Sequence, residues 1–318
     1  MNCLRVTAIV VAAVSVLPPQ HASAWNIPTH MITAAIAYRI VQGESARTVS
    51  ITKTILEKHP WYADRWKNDM ERLPEAERVE GLFMLAARWA DDIRTQAKLQ
   101  RELRWHYINW PFKPDGEPAS VRALPPVPDN ILSAIAENER IVRVATDPSK
   151  RAVALAWLYH LVGDVHQPLH TVQLFSREYP TGDRGGNEIC VRVAPERAPL
   201  DLHKLWDGLI TSSNNIARLR NIATELLIQF PKSSLPELFR TNPEAWAKES
   251  FEIASKIAYQ NGALSGTPRG QHRECREVVT ATVLPAGYPK MARQIADRRL
   301  VLAGYRLANL LMRTVDAH

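Results

Sequence analysis

The sequence predicts a mainly α fold, a single-domain multi-helix bundle with one short β-hairpin. Apolar residues recur at helical spacing along most of the chain. Strand-like alternation is confined to Glu188–Val193, behind the turn signal Gly185-Gly186. No repeat, low-complexity tract or Gly/Ser linker divides the remainder, so it is read as one domain.

Residues 1–24 read as a cleaved leader. Arg5 opens it, Val6–Leu17 is its apolar run, and Ala22-Ser23-Ala24 places small residues at both positions a signal peptidase reads. The run is too short to span a bilayer, and no later stretch reaches about 18 uncharged apolar residues. The expected working protein is therefore residues 25–318, periplasmic or secreted, with no membrane anchor. Helical periodicity then marks Thr33–Val41, Val49–Glu57 and Glu75–Ala97. A helix over Asn130–Thr146 takes Asp129 as its N-cap. Lys150–Asp164 sets Val153, Ala156, Trp157, His160 and Leu161 on one face. Leu200–Ser212 and Asn214–Gln229 follow. In Tyr288–Val315, the spacing of Ile295, Leu300, Ala303, Leu307 and Leu310 predicts a core helix. Leu124–Pro128 is a Pro-rich surface loop.

The chain carries 40 Lys and Arg against 33 Asp and Glu, and the leader removes only Arg5 from that balance. A modest positive excess suits a polyanionic substrate without selecting one. Cys3 falls in the leader. Cys190 and Cys275 remain, and two thiols in an oxidising compartment form one disulfide. Neither lies in a C-x-x-C pattern, which argues against a thiolate metal site.

Histidine and aspartate carry the chemical signal. His160 and Asp164 stand four apart on a helix and so share a face, with His170 beyond the Gln167-Pro168 break. His203 and Asp207 repeat the pair. Imidazole plus carboxylate is a zinc ligand set, although one such pair alone is more often a surface ion pair. Asp91 ends an apolar helix face in Trp89-Ala90-Asp91, and His106 lies in the aromatic stretch Trp105-His106-Tyr107. Taken alone, His106 reads equally well as a satisfied core histidine. Cleavage after Ala24 also frees an α-amine on Trp25, whose pKa near 7.7–8.0 leaves it partly unprotonated and able to bind metal. His30 lies five residues on.

Together, Trp25 with His30, Trp89-Ala90-Asp91, Trp105-His106-Tyr107, the string from His160 through Gly163-Asp164 to Gln167-Pro168-Leu169-His170, Gly185-Gly186-Asn187 and Leu202-His203 with Asp207 resemble the S-one/P-one family of trinuclear-zinc single-strand nucleases. Bacterial zinc phospholipase C is a relative of that family. The likeness runs from Trp25 to the Ala303–Ala308 stretch and implies a phospholipase C/S-one/P-one nuclease-like fold. It implies three zinc ions. Asp91, His106, His160 and Asp164 would hold one, and His170, His203 and Asp207 a second. The amine and carbonyl of Trp25, His30 and the other oxygen of Asp164 would hold the third. His166 is outside this set and takes a supporting role.

The resemblance also implies the activity. Water activated by zinc attacks phosphorus, leaving 5′-phosphate ends on single-stranded DNA or RNA, with 3′-nucleotidase activity alongside. Asp91, Arg94 and Asp164 are then the catalytic residues. Arg94 grips the phosphate, Tyr107 stacks a base and Asn109 meets the base edge, where relatives carry Asp. Asn26 and Pro28-Thr29 replace glycines of several relatives. The enzyme is expected to act as a monomer. The alternative is a zinc phospholipase C, which ends its ligand set with Glu where this chain has Asp207. A non-catalytic zinc-binding protein would need closed four-ligand sites, whereas the second set has three.

Overall fold

The computed structural model describes residues 25–94 and 102–315. The leader expected over residues 1–24 lies outside these, as does the end of the helix expected over Glu75–Ala97. The main helices are α1 (Ile27–Glu44), α2 (Ala46–Leu56), α3 (Lys67–Glu71), α4 (Arg78–Asp92), α5 (Ile131–Val144), α6 (Pro148–Asp164), α7 (Leu202–Asp207), α8 (Ile216–Gln229), α9 (Pro243–Ile253) and α10 (Tyr288–Val315). The expected mainly helical class is what forms. α1 packs against α4, α8 and α10, while α6 packs against α4 and α5.

Local chemistry sets the helix starts. The Asn26 side chain accepts from Thr29 N, with Pro28 in the first turn of α1. Asp147 caps α6 through Ser149 N and Lys150 N ahead of Pro148, so α6 starts earlier than the periodicity alone indicates. The cap of α5 is Asn130, not Asp129. Asn130 and Ser133 exchange a capping box, and Asp129 instead accepts from Trp105 Nε1 at 3.1 Å.

The helix expected over Leu200–Ser212 shrinks to α7. Its first two residues form a strand, the Asp201 side chain caps Lys204 N, and Gly208 ends it. The expected hairpin exists, but inside a larger sheet. Strands β3 (Ile189–Arg192) and β4 (Leu200–Asp201) pair antiparallel, with Val191 opposite Leu200. β5 (Thr267–Pro268) pairs antiparallel and β6 (Thr282–Val283) parallel with β3. β1 (Trp110–Phe112) and β2 (Val172–Leu174) form a separate parallel pair, Trp110 opposite Val172. Cys190 and Cys275 are disulfide-bonded, Cα atoms 5.2 Å apart, and pack with Val278 and Ala281.

A buried ionic clamp holds the turn after α6. Arg299 and Arg306 of α10 are buried, which long cationic side chains tolerate only when paired. Both donate to Glu249 of α9, at 2.6 and 2.8 Å. Arg299 Nε also donates to His166 O, and its Nη2 to Ser250 Oγ, which donates to Val165 O at 2.6 Å. Burial alone would raise Glu249, but the hydrogen bonds and charge of the two guanidiniums hold it at about 2. The segment from Val165 to His166 is thereby tied to two helices that carry no candidate ligand.

Candidate metal centre

α6 carries His160 and Asp164 into the interior, and the Gln167-Pro168 turn returns His170 to the same place. Asp91 comes from the end of α4, His106 from the turn at Glu102–His106, His30 from the first turn of α1, and His203 and Asp207 from α7. All but the partly exposed Asp91 are buried. Asp164 stands in the middle. Its Oδ2 is 2.9 Å from His106 Nδ1 and 3.0 Å from His160 Nε2; its Oδ1 is 3.2 Å from His30 Nε2. Asp91 Oδ1 lies 3.9 Å from His160 Nε2. On the other side, His170 Nε2 and His203 Nε2 are 3.2 Å apart, and Asp207 Oδ2 is 3.5 Å from His203 Nε2.

Three imidazoles are locked in one tautomer. His160 Nδ1 donates to Ala87 O at 3.0 Å, His170 Nδ1 to His106 O at 2.7 Å, and His203 Nδ1 to Gly185 O at 2.6 Å. Each therefore turns its Nε2 inward, the arrangement that metal-binding histidines use. His30 Nε2, Asp164 Oδ1 and Asp207 Oδ2 are buried and make no hydrogen bond. Such atoms are costly unless a cation satisfies them. Two nitrogens on one tetrahedral zinc stand about 3.3 Å apart, close to the 3.0 and 3.2 Å seen here. The donor set and its orphaned atoms fit a metal.

Within the described residues, three groups bring their donor atoms within 4.8 Å of one another: His30 with Asp91 and His160; His106 with His160 and Asp164; and His170 with His203 and Asp207. His30 stacks on His160 at 3.8 Å, and a Cβ at Gly163 would lie 2.6 Å from His30 Nδ1, so only glycine permits that approach. Trp25 is fully buried beside Met31 and Ile210, and Asn26 N donates to Asp207 O at 3.4 Å. The segment leading into α1 is thus stitched to the α7 end of the site. His166 donates from Nδ1 to Val162 O, while its Nε2 accepts from Arg306 at 2.8 Å. With both nitrogens engaged it is structural.

The electrostatics agree with a cation site. Burial alone would raise Asp164, but His160, His170 and His30 together with the hydrogen bond to His106 hold it well below the usual carboxylate range. Asp207 is pushed well up by burial, which the amide of Gln167, 2.7 Å away, offsets only in part. Burial lowers His170 to about 3 and, aided by Arg94, His106 to about 4. His59, packed between Trp66 and Trp89 away from these groups, is lowered by burial to about 3. Burial pulls His160 down as well, but Asp164 and Asp91 more than reverse it.

A pH dependence follows for chelator-treated protein. His59, His106 and His170 are neutral when folded, whereas the unfolded chain takes up their protons near pH 6.5. Their contribution is complete above pH 6.5 and is lost as pH falls toward 4, by ~1.4 kcal/mol per pH unit for each group. The lowered His30 and His166 act in the same direction, the raised Asp183 and Asp207 oppose below about pH 6, and the raised His160 acts only above pH 6.5. Urea midpoints of the metal-free protein are expected to fall steeply between pH 6.5 and 4.5. A flat profile would contradict the neutral, buried state of these rings.

Other residues named from the sequence border the site. Arg94 Nη1 donates to Asp91 Oδ1 at 3.0 Å, and its Nε is buried without a partner. Tyr107 and Asn109 line one pocket of about 150 Å³ with Leu124, Val127 and Phe175. The backbone ties this pocket to the ligands, since Ile108 N donates to His170 O at 2.8 Å. Asp183 is a supporting residue that the sequence reading missed. It is buried, accepts from Leu174 N, Gly185 N, Gly186 N and Tyr259 OH, and so holds the Gly185 carbonyl that orients His203. Gly185 needs its φ of 62°, and a Cβ there would lie 2.4 Å from Leu169 O. An aspartate two and three residues before a glycine pair is a turn signal that could have revealed it.

A helical frame closed around inward-facing His and Asp groups defines a candidate metal-binding protein. The chain belongs to the S1/P1 nuclease family, whose sequence profile matches residues 25–316. It is similar to Endonuclease 5 of Arabidopsis thaliana, 27% identical over 273 residues, which cover 77% of this chain and 81% of that one. It is also similar to Endonuclease 4 of the same plant, 31% identical over 174 residues, half of either chain. The protein is a nuclease.

Proposed function

We propose that this site hydrolyses single-stranded DNA and RNA to 5′-phosphate products, and cleaves 3′-nucleotides alongside, using three zinc ions. The observation that supports this most is the convergence of eight buried or nearly buried His and Asp side chains into three groups, each with its donor atoms within 4.8 Å of one another. Asp91, His106, His160 and Asp164 would hold one zinc, and His170, His203 and Asp207 a second. The Trp25 amine and carbonyl, His30 and Asp164 Oδ1 would hold the third. Bound zinc supplies an activated water near neutral pH and neutralises charge on the phosphate oxygens.

The chain's own groups do the remaining work. Asp164 shares its two oxygens between the His106–His160 side and His30. Arg94, fixed by Asp91, has donors left to grip a non-bridging phosphate oxygen. Tyr107 offers a base a stacking face in the small pocket, and unpaired bases alone present a free face to it. Asn109 donates and accepts, so it meets more than one base edge. In this reading the leader is cleaved after Ala24, residues 25–318 work as one exported domain, and the enzyme is a monomer. Among the described residues no helix is long and apolar enough to cross a membrane.

Parallel assays on heat-denatured DNA, the same DNA as duplex, RNA and phosphatidylcholine test the proposal. Rapid loss of denatured DNA and RNA, slow loss of duplex and intact lipid are expected. Turnover of phosphatidylcholine alone would reverse the reading in favour of a lipid phosphodiester.

A further inference from the structure

A cleft of about 690 Å³, sharing no lining residue with the small pocket of Tyr107 and Asn109, is lined by Trp61, Trp89, Trp105 and Trp157 with Arg140 and Lys150. The four indoles form one chain of edge-to-face contacts: Trp61 to Trp89 at 6.4 Å, Trp89 to Trp157 at 5.7 Å and Trp157 to Trp105 at 5.1 Å. Trp89 and Trp157 are buried and make the floor, while Trp61 and Trp105 at the ends are only half-buried. The cleft shares its wall with the metal centre. Trp157 touches the His106 ring at 5.7 Å, and Trp89, Trp105 and Trp157 lie within three residues of Asp91, His106 and His160 in the chain.

Charge surrounds this aromatic floor. Arg140 and Lys150 are exposed, and the Arg65 guanidinium sits 3.9 Å over the ring of Trp61, which lines the cleft. Arg140 pairs with Glu137 at 3.0 Å, an exposed pair that costs little to exchange for a phosphate. Aromatic faces interleaved with cations are the chemistry that holds an unpaired strand regardless of sequence. We propose that this cleft binds bases of a single-stranded nucleic acid several nucleotides from the scissile phosphate. It is a length-dependent subsite, with Trp61 the stacking residue and Lys150 a phosphate contact. The inference rests on the nuclease reading and adds a second binding region to it.

The test compares a 3′-mononucleotide with a ten-nucleotide strand as substrates of the zinc-loaded, processed enzyme. Trp61→Ala and the surface variant Lys150→Glu are each expected to raise KM for the decamer roughly tenfold, the effect of one lost stack or contact. The kcat for the decamer, and both constants for the mononucleotide, stay unchanged. An unchanged decamer KM in both variants overturns the proposal, as does a parallel rise for both substrates, which would mean a disturbed metal centre. Protection of the tryptophan fluorescence by phosphatidylcholine vesicles and not by a phosphorothioate decamer would assign the cleft to lipid and also overturn it. A wild-type enzyme that cuts neither substrate sinks the nuclease reading itself, and the cleft with it.

Discussion

Asp164→Asn is expected to lower phosphodiester cleavage by roughly a thousandfold or more, a loss of several kcal/mol of transition-state stabilisation. The change keeps the shape of the side chain and removes its charge. Asp164 lies within 3.2 Å of His30, His106 and His160 together. Its anionic form is held by those rings, and an amide offers each of them only a neutral oxygen or an N–H. The variant should lose metal from two sites at once, while the His170, His203 and Asp207 group keeps its ligands. Activity and zinc content equal to wild type would refute the bridging role.

Residues left in front of Trp25 are expected to remove one zinc and most of the activity. A free α-amine has a lone pair near neutral pH, and the amide nitrogen of an extended chain does not. The surroundings leave no slack for a substitute. The Trp25 indole is fully buried, Asn26 is bonded to both Asp207 O and Thr211 O, and His30 sits on the first turn of α1. Comparing processed protein with a form carrying a few extra N-terminal residues checks this directly. An extended form that retains its full zinc content and works normally would contradict the amine's role.

The parts of this protein that were legible in the sequence are those encoded by local spacing. His160 with Asp164 and His203 with Asp207 could be placed on one face because a helix repeats nearly every four residues, and both pairs do meet. The Tyr288–Val315 helix was equally plain from its apolar rhythm. Long-range pairing was not legible. β5 and β6 are two residues each and carry no alternation to read, so only the β3 arm of the sheet stood out. α7 was read too long because Leu209 and Ile210 continue an apolar pattern past Gly208. α9 was missed altogether, although Asn242-Pro243 is a start signal, and with it Glu249. Charged residues are ordinarily solvated, so nothing in the sequence marks Glu249 and Arg299 as partners in an interior ion pair.

Anomalous diffraction at the zinc edge from crystals of the processed enzyme tests the central claim most directly. Three peaks are expected in one cleft: one among Asp91, His106, His160 and Asp164, one among His170, His203 and Asp207, and one beside the Trp25 amine and His30. Peaks scattered over the surface, or a cleft holding no zinc in fully active protein, would contradict the account.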